Sequence, residues 1–389
     1  MIHSGRHFLQ IPGPTNVPDR VLKEIAQATI DHRGPEFADL GIEVLDRLKG
    51  VFRTRGPVVI FPSSGTGAAE AALANTLSPG DRILIFETGW FSHIAWRYVA
   101  ERLGVVVEYV PGTWRRGASP ETLEQRLKDD KNHDLKAVVV VHNETSTGVV
   151  SRIADLRRAM NRTGHPALLI VDAISSLASV DLRHDEWEID VTVCGSQKAL
   201  MLPPGLAIVA VSDKGWKANE RANLPRFYAD LGRERKNQDK GDTSFTPAVS
   251  LIMGLRESLR MLKEETLAGV WNRHERLAKA TRAASGGLGL ELFSSSPVNS
   301  VTGFRMPNGI DGSAVIKQMR TRYGITIAGG QDHLKGKIVR IAHLGYIFEF
   351  DIITAISGLE MTLSDLGFGI RPGAGVAAAQ ATFAETRRA

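Results

Sequence analysis

Apolar positions are unevenly spread along this chain. Between residues 58 and 212 they gather into seven short runs separated by amphipathic stretches. The runs are VVIF at 58–61, ILIF at 83–86, VVVEYV at 105–110, AVVVVHNE at 137–144, ALLIVDA at 167–173, DVTVCGS at 190–196 and LAIVAVS at 206–212. Their β-branched content and near-continuous apolarity describe strands buried on both faces, as in a sheet sandwiched between helices. Helical stretches are expected at 68–77, 92–103 and 153–162, with Ser92 placed to cap the second and Gly104 to end it. Alternation of strand and helix on this scale predicts an α/β fold built on a mostly parallel seven-stranded sheet.

From residue 266 onward the strand density falls. A long helical pattern, RHERLAKATRAA at 273–284, precedes shorter strand-like runs at 301–306 and 338–344. The chain therefore divides into an extended Pro- and Gly-rich arm over residues 1–20, a large α/β domain over 21–265 and a smaller α+β domain over 266–389. The Ala- and Gly-rich tail beyond Arg371 is expected to be peripheral.

Composition narrows the function classes. The chain has 389 residues, 43% hydrophobic and 23% charged, which is ordinary for a globular protein. The net charge of +5 is dispersed among acidic residues, with RERK at 233–236 a short exception. That pattern argues against a nucleic-acid partner and suits attraction of small anionic metabolites. A single cysteine, Cys194, excludes an internal disulfide and a multi-cysteine metal site. No apolar run reaches membrane-spanning length, so a cytoplasmic protein is expected.

Candidate chemistry concentrates where strands end. Lys198 follows an apolar strand in GSQKALMLPPGLAIV at 195–209, at the place where open α/β sheets put their ligands. Asp172 closes the run ALLIVD, where a charge needs a partner. A lysine that forms an imine and a carboxylate that pairs with a pyridinium nitrogen are the two protein groups a pyridoxal cofactor requires. Between a strand and a helix lies SSGTG at 63–67, whose backbone amides, with Ser64 and Thr66, suit a phosphate. It matches neither a Walker loop nor a dinucleotide fingerprint. Trp90 follows the strand at 83–86 and is a candidate to stack on a flat ring, or else a core aromatic. Thr145 and Thr147 in HNETSTG at 142–148 are candidate donors to the cofactor or substrate, or else turn caps. Arg340, inside the apolar run IVRIAHLG at 338–345, is a candidate grip on a carboxylate if it points inward.

Taken together, these motifs resemble the class V aminotransferases of fold type I, within them the serine–glyoxylate and alanine–glyoxylate group. The resemblance runs from IPGPTNVP at 11–18 and DHRGPEF at 31–37 through SSGTG, HNETSTG, VDAISS and the Lys198 segment to GVAAAQ at 375–380. It implies pyridoxal 5'-phosphate as cofactor, held by Lys198 as a Schiff base, with Asp172 on the ring nitrogen and Trp90 stacked on the ring. It also implies Ser64, Gly65, Thr66 and Gln197 around the phosphate. Thr243 and Thr246 in TSFTP at 243–247 would come from a second subunit, making a homodimer the minimum assembly. Arg340 would hold the substrate carboxylate, and Gly13 would lie in the arm that passes over the substrate.

The implied reaction is ping-pong transamination from a small L-amino acid to glyoxylate. Serine is the favoured donor, with aspartate and then alanine as alternatives. An aspartate donor needs a second cation, for which Arg33, His93, His343 or the 233–240 segment are candidates. A cysteine-desulfurase reaction on the same fold needs a mobile cysteine, and none occurs at 325–337. A phosphate-binding protein without the cofactor would leave Lys198 without a task, and a silent scaffold would leave Asp172 and Arg340 idle as well.

Overall fold

The structure, a computed structural model, describes residues 6–386, so the first five residues of the expected arm and the last three of the tail lie outside the described residues. Its centre is a seven-stranded sheet in the order Val58–Pro62, Leu206–Val211, Val191–Gly195, Leu168–Asp172, Leu135–Val141, Arg82–Phe86, Val106–Val110. Only Leu206–Val211 runs against its neighbours. Alternate residues of one strand pack into two different cores. Val138, Val140, Leu169 and Val171 face a layer containing Leu48 and Leu255, whereas Val139, Ile170 and Val193 face a layer containing Ala72 and Leu73. Burial on both faces is the reason these strands read as continuous apolar runs.

The alanine-rich helix Gly65–Thr76 lies close against the second face. Gly65 is required there because a Cβ would stand 2.7 Å from the Ile174 side chain. Three strands end at one edge of this layer: Val58–Pro62 before the SSGTG turn, Leu168–Asp172 at Asp172, and Val191–Gly195 before Lys198. Among the described residues no helix is long and apolar enough to cross a membrane.

A second, four-stranded sheet has the order Phe8–Gln10, Ile325–Gly329, Ile338–Ala342, Val301–Arg305. The expected arm therefore contributes an edge strand, with Phe8 paired to Ile325 in parallel. Its three-residue length and flanking prolines hide it from pattern reading. The tail also differs from expectation. Ala374–Thr386 is a helix with Ala379 and Phe383 buried in the core formed by Leu288, Ile356 and Leu359. Its small residues allow close packing against Leu267–Leu288, where Ala374 and Gly375 backbone lies beside Gly287.

The expected helix at 92–103 begins as a π-helical turn, Phe91–Trp96, and continues as Arg97–Arg102. Ser92 does not cap it. Its hydroxyl accepts from Thr88 N and Gly89 N in the preceding turn, while the carboxylate of Glu144 accepts from Phe91 N and Ser92 N at the helix start.

Candidate active site

At the carboxyl ends of the central strands lies a cavity of about 230 Å³, whose lining includes Gly13, Ser64, Gly65, Thr66, Thr145, Asp172, Gln197 and Lys198, together with Phe91, Trp96, Asn143 and Ser175. Eight of the residues expected from sequence thus come together from five separate segments.

Lys198 is 8% exposed, and its Nζ donates to the Pro12 carbonyl at 2.6 Å. Burial, and then the neighbouring Arg340 charge, push this amine down to about 8, with Asp172 opposing. A larger neutral fraction at neutral pH is what a nucleophilic amine needs. The segment after Pro12 is tied down on both sides of the lysine. Thr15 N donates to the Gln197 carbonyl at 3.1 Å, and Thr15 Oγ1 donates to the Lys198 carbonyl at 2.8 Å.

Asp172 is buried, which pushes its carboxyl up. Trp96 Nε1 donates to Oδ2 at 2.7 Å and Ile174 N to Oδ1 at 2.9 Å, and both hold it down. Trp96 escaped the sequence reading. Its place six residues beyond Trp90 gave no signal until the π-turn fixed the helix register.

Trp90 does not line the cavity and packs instead with Trp114, Phe293, Leu334 and Ile338. Its backbone N–H is held by Ser146 Oγ at 2.8 Å, and Phe91 lines the cavity in its place. Thr147 is also off the cavity, with its hydroxyl turned to the Thr88 and Glu144 carbonyls. The same motif supplies Asn143 instead. Its Oδ1 accepts from Ser300, and its buried Nδ2 has no partner among the described residues. Thr145 donates to Ser175 Oγ at 2.6 Å.

Arg340 is 6% exposed and bonds the carbonyls of Gly329 and Thr145. Burial lowers it to about 10, and Glu144 opposes that shift. It stands behind Thr145 and does not itself line the cavity. Thr243 donates to the Phe245 carbonyl at 2.8 Å, Thr246 is exposed, and neither reaches the cavity of its own chain.

The family model for class-V aminotransferases matches residues 7–344. The chain belongs to that family. It is 43% identical to a serine–glyoxylate aminotransferase of Methylorubrum extorquens over 98% of this chain and 97% of that one. It is 41% identical to an L-aspartate–glyoxylate aminotransferase of Paracoccus denitrificans, over 97% and 96%. Among solved structures, ureidoglycine–glyoxylate aminotransferase from Bacillus subtilis superposes with a TM-score of 0.91 at 28% identity, covering 98% of this chain and 99% of that one.

Class-V aminotransferases work with pyridoxal phosphate, and the residues present fit it. Ser64 heads the helix Gly65–Thr76 without spending its side chain on a capping bond, and the first-turn amides of Gly65 and Thr66 have no carbonyl of their own helix to bond. Asn143 Nδ2 and Gln197 Oε1 are buried polar atoms left without partners at the cavity wall, which is costly in a site that stays empty.

Gly13 has φ +134, and a Cβ there would stand 2.3 Å from Lys198 Nζ. Gly13→Ala is therefore expected to displace the amine rather than unfold the protein. Capture of added pyridoxal phosphate by the apoprotein, followed as the yellow lysine-linked band, should slow by about tenfold. Capture at the wild-type rate would show that the arm does not set the position of the lysine.

Proposed function

We propose that this aminotransferase transfers the amino group of L-serine to glyoxylate, giving glycine and hydroxypyruvate, as a cytoplasmic homodimer. The observation that carries the reaction is one cavity holding both a buried lysine of lowered basicity and a buried carboxylate at the ends of neighbouring parallel segments.

Pyridoxal phosphate, when bound, supplies the electron sink that makes the α-proton of the donor removable. Lys198 Nζ would be the group that holds the cofactor, and the same amine, once free, would take the α-proton of the donor. Asp172, its orientation fixed by Trp96 and Ile174, would pair with the ring nitrogen and favour its protonated form. The Ser64–Thr66 turn would hold the phosphate. The segment at Pro12–Thr15 covers one side of Lys198 and fixes its amine against the Pro12 carbonyl. Arg340, held by the Gly329 and Thr145 carbonyls and with no carboxylate among the described residues within ion-pair distance, would supply the unmatched positive charge that draws the donor carboxylate. Glyoxylate then enters the same site, and the steps run in reverse.

Serine is favoured over aspartate by the fate of the candidate second cations. Arg33 bonds Asp242 and the Thr243 carbonyl, His93 Nδ1 meets the Tyr109 hydroxyl at 2.9 Å, and His343 is held between Asn299 and Thr302. Arg233 lies over Phe227 and Phe245, and Arg235 over Trp216. Lys198 is the one cation among the described residues lining the cavity, so the chain's own lining offers nothing to a donor's second carboxylate. The dimer is supported by Thr246, which is exposed, lies outside the cavity of its own chain and is available to that of a second copy, whereas Thr243 is buried with its hydroxyl on the Phe245 carbonyl.

The test is an absorbance titration of the yellow holoprotein with L-serine and, separately, L-aspartate. Bleaching at lower concentrations of serine is expected. A preference for aspartate would transfer the assignment to aspartate–glyoxylate transamination.

A further inference from the structure

The site contains a second buried carboxylate that the reaction does not use. Glu144, the third residue of HNETSTG, is fully buried. Its Oε1 accepts from Ser146 Oγ at 2.6 Å, Ser146 N at 3.2 Å and Phe91 N at 3.3 Å, and its Oε2 accepts from Ser92 N at 3.1 Å. Four donors converge on two oxygens, so an amide in the same place would turn an N–H toward one of them. The approach is close on the helix side as well, where a Cβ on Gly89 would stand 2.4 Å from Glu144 Cγ.

What these bonds connect gives Glu144 a role in the chemistry. On one side they fix the first turn of the helix that delivers Phe91 to the cavity wall and, one turn later, Trp96 to Asp172. On the other, the next residue in the chain, Thr145, lines the cavity and lends its carbonyl to Arg340. The charge of Glu144 also acts on both cations of the site, Lys198 and Arg340, in a region where burial weakens screening.

We propose that Glu144 is a positioning residue of the transamination site, a clamp that holds the ring-facing wall at Phe91 and the Thr145–Arg340 carboxylate grip in one register. This rests on the aminotransferase reading of the site and adds a residue that touches neither substrate nor cofactor. A purely structural helix cap would stabilise the fold and leave ligand affinities alone. A clamp between two halves of a binding site changes those affinities even where the fold survives.

The experiment compares wild type, Glu144→Ala and Glu144→Gln for melting temperature, for dissociation of pyridoxal phosphate from the apoprotein by fluorescence titration, and for serine kcat and KM. Glu144→Ala is expected to raise both the cofactor dissociation constant and the serine KM by about tenfold, with a smaller fall in kcat. Glu144→Gln keeps one acceptor oxygen and should recover part of both losses. A lowered melting temperature with wild-type affinities would overturn the proposal and leave Glu144 a structural cap. If Glu144→Ala does not fold, Glu144→Gln decides: unchanged affinities reject the clamp, and a shift in both supports it. Wild-type protein that takes up no pyridoxal phosphate would instead sink the reading of the site on which the proposal stands.

Discussion

Lys198→Ala will lose turnover by at least about 10,000-fold, because among the described residues no other amine lines the cavity to take the α-proton or to hold the cofactor covalently. The remaining contacts should still retain pyridoxal phosphate, so the variant ought to bind it reversibly and resist trapping by borohydride. Normal transamination, or a cofactor still trapped covalently, would remove Lys198 from the reaction. A second readout uses the wild-type apoprotein. Burial pushes the Lys198 amine down to about 8, so it is protonated and unreactive below that pH and mostly neutral above it. Capture of added pyridoxal phosphate should accelerate through pH 8 and then level off. An ordinary lysine, which titrates near 10.5, would go on gaining well beyond that point.

Why Lys198 and Asp172 were legible from sequence is a matter of contrast. Each is a charge standing at the end of a run that is otherwise apolar on both faces, and the structure buries both at adjoining strand ends. A parallel sheet with helices on both sides leaves few polar positions, so those that remain stand out. SSGTG was readable for a related reason, because a strand that turns directly into a helix with no side-chain cap leaves amides pointing at whatever lies above the sheet.

Residues whose placement depends on an irregular turn were not legible. Trp90, Phe91 and Trp96 are all aromatic, and which of them face the cavity is decided by the π-turn over Phe91–Trp96. That turn is in turn held by Glu144, a residue 52 positions away from Ser92. In HNETSTG the choice between Asn143 and Thr147 follows from a tight turn in which the Glu144 carbonyl accepts from Gly148 N at 2.9 Å, folding Thr147 away from the cavity. The tail misled for another reason. A helix of alanine and glycine has little hydrophobic contrast, and its burial depends on a partner surface at Gly287 and Leu288 that no local pattern announces.

Asp172→Asn should cost the reaction two to three orders of magnitude in kcat, roughly 3–4 kcal/mol, with little change in serine KM. Both carboxylate oxygens of Asp172 already accept one hydrogen bond, from Trp96 Nε1 and from Ile174 N. An asparagine keeps one acceptor, but its amide nitrogen must face the other donor, leaving a buried N–H without a partner at a cost of about 1–3 kcal/mol. Its free N–H would also point at the ring nitrogen as a donor, which favours the unprotonated ring and weakens the electron sink. A carboxylate there does the reverse, and the positive charge of the ring offsets the burial that otherwise pushes Asp172 up. The decisive measurement is a single-turnover reaction with serine deuterated at the α-carbon. The variant should show a slower conversion and a larger isotope effect, since proton removal becomes the limiting step. A melting temperature that falls while the single-turnover rate stays at the wild-type value would leave Asp172 as a buttress for Trp96 and no partner of the ring.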